Sequence, residues 1–189
     1  MTPDDEYPRL LGALLSPFGE SPARRDAERA LTVLLRDYRD RARADLLDAV
    51  RAVPDGLQVP AVLEVLPLFG GADQVPLLES LMGGEDDDIA ARAGIALGRL
   101  REPEAHQAVR RALASPSVQV LSAGADAAGV RGDAALCGPL RDRFDHPSPE
   151  ARYHVAHALR ALGCLTADER AELVAAEPDA DVAALLRNP

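Results

Sequence analysis

Two histidines, His154 and His157, have the residue type and spacing that could form half of a metal site. They lie in the stretch EARYHVAHALRALG, residues 150–163. On a helix, a spacing of three places both rings on neighbouring parts of one surface. A metal site also needs ligands from other elements, so the chemistry depends on whether this stretch is unique or repeated.

Other residues that could take part in chemistry are scattered along the chain. Two cysteines in a chain of 189 residues do not make a disulfide framework, and neither has a His or Asp spaced as a nucleophile's partner. We therefore expect Cys137 and Cys164 to be reduced thiols of a cytosolic protein. His106 and His146 are isolated and are expected at the surface. The acidic run EDDD, residues 85–88, lacks calcium-loop spacing and precedes a predicted helix, whose N-terminus favours negative charge.

A period of 31 residues runs through most of the chain. It is carried by three series: Leu35, Leu66, Leu97, Ala128, Leu159; Leu47, Leu78, Val109, Leu140, Ala171; and Leu34, Val65, Ala96, Ala127, Ala158. All of these positions are apolar, against 47% of the whole chain. Glycines share a further column at Gly70, Gly132 and Gly163, and prolines share another at Pro54, Pro116, Pro147 and Pro178. Gly suits the positive φ after a helix end and Pro marks a boundary, so each period predicts two helices.

The period divides the chain into five predicted units in a single domain, at residues 24–54, 55–85, 86–116, 117–147 and 148–178. Residues 1–23 and 179–189 are predicted to cap the two ends. In the fifth unit, the two helices are predicted at 149–162 and 167–176. Ser148, Ser117 and Asp86 can cap first helices. Residues 22–53 could instead form one long helix, although the period favours a break near Arg39 to Arg41.

Composition supports an all-α fold and restricts the partners. Aromatic residues are 3% of the chain and Trp is absent, so Ala and Leu must build the core. The net charge of −10, with Arg as the basic residue throughout, argues against coating nucleic acid and would suit a basic partner. No apolar run is long enough for a membrane span, and the acidic N-terminus is unlike a secretory signal.

The segments ARAGIALGRL, PEAHQAVRRAL and EARYHVAHALRALG resemble short HEAT-like repeats of the phycobilisome-lyase type, over about residues 24–178. The resemblance implies an α-solenoid of about five stacked two-helix repeats. It also implies that the second helix of each repeat lines the concave face. Such repeats mostly make binding surfaces, so the family implies a fold more than an activity.

One enzyme among HEAT-like proteins, deoxyhypusine hydroxylase, carries His-Glu dyads that bind two irons. His154 occupies the matching place, but Val155 follows it and the chain has no His-Glu pair. The equivalents of His154 in other units are Ala123, Arg92, Ala61 and Ala30. We therefore expect no metal site, with His154 and His157 facing outward and Tyr153 beside the buried face.

The column expected on the exposed side of the second helices is our candidate binding surface. It comprises Asp48, Glu79, Arg110, Arg141 and Glu172, with Arg111 in the neighbouring column. The three Arg side chains could bind carboxylate or phosphate, or could pair with acidic neighbours and bind nothing. The expected function is a non-catalytic scaffold that binds another protein without a cofactor. The alternatives are enzymes similar to bilin lyases or to HEAT-repeat DNA glycosylases, the latter needing a basic track and aromatic residues.

Overall fold

The computed structural model describes residues 3–15, 21–53, 56 and 58–187, and the regular elements among these residues are all helices, without a β-strand. The α-helices are α1 Pro3–Leu15, α2 Ser21–Asp37, α3 Arg39–Ala52, α4 Val59–Val65, α5 Val75–Met82, α6 Asp87–Arg99, α7 Pro103–Leu113, α8 Val118–Arg131, α9 Cys137–Arg141, α10 Pro149–Ala161, α11 Ala167–Ala176 and α12 Ala180–Arg187. Short 3₁₀ turns lie at Leu66–Phe69, Ala72–Gln74 and Ala134–Leu136. None of the described helices has both the length and the apolar character that crossing a membrane requires.

Helix boundaries follow the 31-residue pattern closely. α10 and α11 lie where the two helices of the fifth unit were predicted. The chain breaks between α2 and α3 at Tyr38, one residue before the expected break, which excludes one continuous helix over residues 22–53. We call α2, α4, α6, α8 and α10 the first helices, and α3, α5, α7, α9 and α11 the second helices. Pro54, in the predicted proline column, lies outside the described residues.

The turns and caps have the predicted chemistry. Gly70, Gly132 and Gly163 have φ of 67°, 71° and 64°, a backbone region that side chains with a Cβ rarely enter. The side chains of Asp86, Ser117 and Ser148 accept hydrogen bonds from backbone N–H groups at the starts of α6, α8 and α10.

Two helices are shorter than the pattern predicts. α4 is followed by the 3₁₀ turn at Leu66–Phe69, where Pro67 lacks the N–H that an α-helix would need. α9 contains only five residues, including Gly138 and Pro139. These local departures follow from Pro and Gly residues that the other units do not share.

The core consists mainly of Leu and Ala side chains between helices. α4, α6, α8, α10 and α12 pack in chain order, while α5, α7 and α9 form a second such series. Within the three apolar columns, Leu35 and Val65 are half-buried, Ala171 is exposed and the others are buried. Ala171 was predicted to be in the core. It is exposed because no second helix follows α11 in the described chain.

The tightest contact in the core lies between α6 and α8. A Cβ added at Gly94 would lie 2.4 Å from the carbonyl oxygen of Ala123, and one at Gly98 would lie 2.4 Å from that of Ala127. Side chains cannot be accommodated at that distance, so the two glycines allow the helix backbones to approach. This contact fixes α8, which in turn carries the residues that face α10.

Candidate interaction surface

The second-helix surface comprises Asp48, Glu79, Arg110, Arg111, Arg141 and Glu172. Five of these side chains are exposed and that of Glu79 is half-buried. Their exposure is consistent with helical periodicity, because another face of α3, α5, α7 and α9 carries the buried column, whereas α11 has no buried residue.

Two of the three arginines on this surface are paired with acidic residues. Arg111 on α7 donates to Glu79 Oε1 on α5, with Nη2 at 2.8 Å and Nε at 3.0 Å. Arg141 donates through Nη2 to the carbonyl oxygen of Cys164, and the same nitrogen lies 3.4 Å from Glu169 Oε1. The surface therefore contains mixed ion pairs between neighbouring units, and the three arginines do not form a continuous basic patch.

Arg110 differs from its two neighbours. It is exposed, and within the described chain its side chain makes no hydrogen bond or ion pair. At one end of the surface, Asp48 pairs with Arg51 of the same helix at 3.0 Å, an exposed pair that contributes little to stability. Arg110 is thus the arginine of the surface best placed to pair with a partner.

At the other end, the local acid is held in its charged form. The backbone and side chain of Thr166 hydrogen-bond Glu169, and together with Arg141 they lower the pKa of this carboxyl group. Glu169 and Thr166 form a capping box at the start of α11. Because its carboxylate is engaged by the cap and by Arg141, Glu169 is not free to bind a partner's cation.

The two histidines of the opening motif have different environments. His157 is exposed, as predicted, but His154 is half-buried, with Nδ1 2.8 Å from Asp126 Oδ1 on α8. The prediction that His154 faces outward was therefore wrong, because the side chain lies against α8, where Asp126 binds the ring. The hydrogen bond to Asp126 raises the pKa of His154 above 6.5, although burial opposes the shift. Tyr153 is more exposed than predicted, at 41%.

The pair of His154 with Asp126 repeats an earlier contact in the chain. Two periods upstream, Arg92 on α6 lies 3.4 Å from Glu64 on α4. A first helix thus contributes a cation to a carboxylate of the preceding first helix at both places. This recurrence explains His154 as one member of a packing contact between helices.

His106 and His146 are also half-buried and hydrogen-bonded rather than simply at the surface. His106 Nδ1 lies 3.0 Å from Asp133 Oδ2, and His146 Nδ1 accepts a hydrogen bond from the backbone N–H of Ser148. Among the residues that the structure describes, no group of three or more His, Cys, Asp or Glu side chains could hold a metal ion.

The cysteines form a disulfide, so the prediction of two reduced thiols was wrong. Cys137 on α9 is bonded to Cys164, which follows α10, with a Cα–Cα distance of 5.6 Å. Cys137 lies one period after His106, and Cys164 lies one period after Asp133. The disulfide therefore joins the same two positions of the repeat, a second helix and the turn of the next unit, that the contact of His106 with Asp133 joins one unit earlier. Sequence reasoning missed it because the cysteines were assessed one by one and not by column.

A groove between α10 and α12 is a second candidate surface, with a volume of about 610 Å³. We call it the Tyr153 groove. The exposed ring of Tyr153 and the side chains of Val182 and Leu185 give it apolar walls, and Glu150, Asp179 and Asp181 give it negative charge. Asp179 also caps α12 by accepting from the N–H groups of Asp181 and Val182. A long cationic side chain could place its stem on the apolar wall and its charge near the carboxylates.

Comparison with protein families and with curated proteins assigns no family to this chain. No protein-family model matches the chain, and no curated protein matches it significantly.

Proposed function

We propose that this chain is a non-catalytic protein-interaction module, built as an α-solenoid of HEAT-like repeats, that binds a partner protein through its second-helix surface. The single observation that carries the proposal is the exposure of charged side chains along successive second helices, with Arg110 exposed at the centre and without a partner in the described chain. A surface of this kind can recognise a partner by charge complementarity.

The solenoid is supported by polar contacts that recur between units. Arg39 donates to the carbonyl oxygen of Phe69, and one helix turn later Arg43 pairs with Asp73. Arg101 and Arg131 each donate to a carbonyl oxygen of the other's unit. The residues in each contact are about one period apart, as expected when each repeat touches its neighbours.

A partner that presents a basic segment to the Tyr153 groove, and a carboxylate to Arg110, is supported by the overall charge and by the lining of the groove. Three carboxylates line the groove, and no lining residue in the described chain is basic. Because the net charge is −10, the wider field of the protein attracts cations as well. We infer that an Arg- or Lys-bearing segment of the partner occupies this groove.

The disulfide is evidence about the compartment in which the protein works. The cytosolic location expected from the sequence relied on reduced thiols, and disulfides persist mainly in oxidising compartments. The bond between Cys137 and Cys164 removes that support. Labelling free thiols in intact cells tests the location, because a cytosolic chain would be labelled and an exported one would not.

Affinity capture with matched variants tests the function. The tagged wild type, Arg110→Glu and the control Arg29→Glu would be compared in extracts of the native cells. We expect a stoichiometric protein partner with the wild type and the control, and its loss with Arg110→Glu. Arg29 is a suitable control because it is exposed on α2, which belongs neither to the second helices nor to the Tyr153 groove, and the change in charge is the same.

Two outcomes would contradict the proposal. Equal capture by Arg110→Glu and Arg29→Glu would show that the second-helix surface does not bind the partner. A chromophore bound to the purified protein, or excision of methylated bases from DNA, would favour the lyase-like or glycosylase-like enzyme instead. Tyr153→Ala with Glu150→Gln tests the groove separately, and we expect weaker binding of the same partner.

A further inference from the structure

A small cavity next to the turn between α10 and α11 has the opposite charge to the rest of the protein. It has a volume of about 310 Å³, and its polar lining side chains are His157, Arg160 and Arg170. Leu165 and the buried Leu159 form its apolar wall. None of the described residues lining this basic cavity has a carboxylate, although the chain carries a net charge of −10.

The turn brings the three basic residues together. His157 and Arg160 lie one turn apart along α10. Gly163, with φ of 64°, reverses the chain, and Arg170 follows on α11. The basic cavity therefore depends on a turn that the glycine column fixes, and the cations come from two helices held in a defined relation.

Arg170 is unusual among the arginines of this protein. The half-buried arginines Arg43 and Arg152 pair with the acids Asp73 and Glu177, while Arg131 and Arg143 donate to backbone carbonyl oxygens. Arg170 is half-buried, and its side chain makes no hydrogen bond or ion pair within the described chain. The neighbouring carboxylate, Glu169, is engaged by Thr166 and Arg141. A guanidinium group kept partly from water without an anion is ready to accept one from solution.

We propose that the basic cavity binds a phosphate group, held by Arg170 and His157, while Arg160 lines the same cavity and adds positive charge. Phosphate carries close to two negative charges at neutral pH, and its oxygens match the fork of the guanidinium group. The cavity volume is at the small end for ligand sites, which suits one phosphate group. The phosphate is either free or part of a small ester, whose apolar portion would then contact Leu165.

Amide NMR titration of the full chain tests this site, with inorganic phosphate and phenyl phosphate as probes at constant pH and ionic strength. We expect saturable shifts confined to residues near 157–170. Tighter binding of phenyl phosphate would identify an ester as the ligand, and tighter binding of inorganic phosphate would identify the free ion. Sodium chloride titrated over the same ionic range serves as the reference for screening.

Charge-matched variants decide whether the cavity is responsible. Arg170→Gln should weaken binding about tenfold, the loss expected for a charged hydrogen bond. Arg110→Gln loses the same charge far from the cavity and should change the affinity less than about twofold. His157→Gln, at an exposed position, should also weaken binding and replaces Arg170→Gln if that variant does not fold. Equal affinities in the cavity variants and Arg110→Gln, or unsaturated shifts in the wild type, would overturn the proposal.

Discussion

His154 Nδ1 lies 2.8 Å from Asp126 Oδ1 across the contact between α10 and α8. The hydrogen bond satisfies a half-buried ring that would otherwise lose water on one side. The carboxylate also favours the protonated ring, and this raises the pKa of His154. The pair therefore links the protonation of one histidine to the packing of two helices.

The stability contributed by this pair should depend on pH. Because the pKa of His154 is raised on folding, its stabilising effect is fully present below about 6.5 and is lost as pH rises through the raised value. We expect the difference in unfolding free energy between the wild type and His154→Gln to shrink on going from pH 5.5 to 8.5. Denaturant titration at several pH values measures it. A pH-independent difference for His154→Gln would contradict the assignment.

Arg152 and Glu177 join α10 to the segment between α11 and α12. Their two hydrogen bonds are 2.7 and 2.9 Å long, and the side chains expose only 11% and 1%. Glu177→Ala would leave the guanidinium without its carboxylate, and we expect a loss of about 3 kcal/mol of unfolding free energy. Glu172→Ala, at an exposed position on α11, is the control. Similar melting temperatures for the two variants would show that the buried pair contributes no more than a surface charge.

The disulfide should stabilise the C-terminal part of the chain. Cys137 and Cys164 are 27 residues apart, and a closed loop of that length restricts the unfolded chain by about 3 to 4 kcal/mol. We expect the double variant Cys137→Ser with Cys164→Ser to melt at a lower temperature than the wild type. Adding a reductant should lower the melting temperature of the wild type and leave that of the variant unchanged. A wild type insensitive to reductant would argue against the bond.

The contact between α6 and α8 should not tolerate a single methyl group. Gly98→Ala would place Cβ against the carbonyl oxygen of Ala127, and we expect it to destabilise the protein by about 1 to 3 kcal/mol. Gly138→Ala is the matched control on α9, where an added Cβ meets nothing within 4 Å. We expect that control to be neutral or to stabilise by a few tenths of a kcal/mol. Thermal unfolding of both variants measures the contrast, and equal effects would refute the close approach.

The helices, turns and caps could be predicted because they depend on local chemistry repeated every 31 residues. A glycine column predicts positive φ at Gly132 without any knowledge of tertiary structure. Ser117 and Ser148 were identifiable as caps for the same reason. By contrast, α4 and α9 are short because each carries Pro or Gly at places where the other units do not.

The partners of side chains could not be predicted with the same success. Arg111 reaches Glu79, and His154 reaches Asp126, on helices from a neighbouring unit. The sequence period indicates which residues share a column, but a contact also depends on the offset between adjacent helices. Once the contact of His106 with Asp133 is known, the residues one period later, Cys137 and Cys164, are expected to be in contact as well. The candidate surface is exposed, and two of its three arginines pair with acidic neighbours, which is one of the two alternatives that the sequence left open.

The close approach of α6 and α8 at Gly94 and Gly98 also has a consequence for how the molecule opens. Backbone amides in these two helices are enclosed by direct helix-to-helix contact, so their exchange with deuterium requires the largest unfolding event. Amides of α11 exchange through smaller openings, since this helix has no buried residue. Deuterium should therefore enter α11 well before it reaches the centre, and the α6–α8 pair should be the last part of the chain to lose its protection.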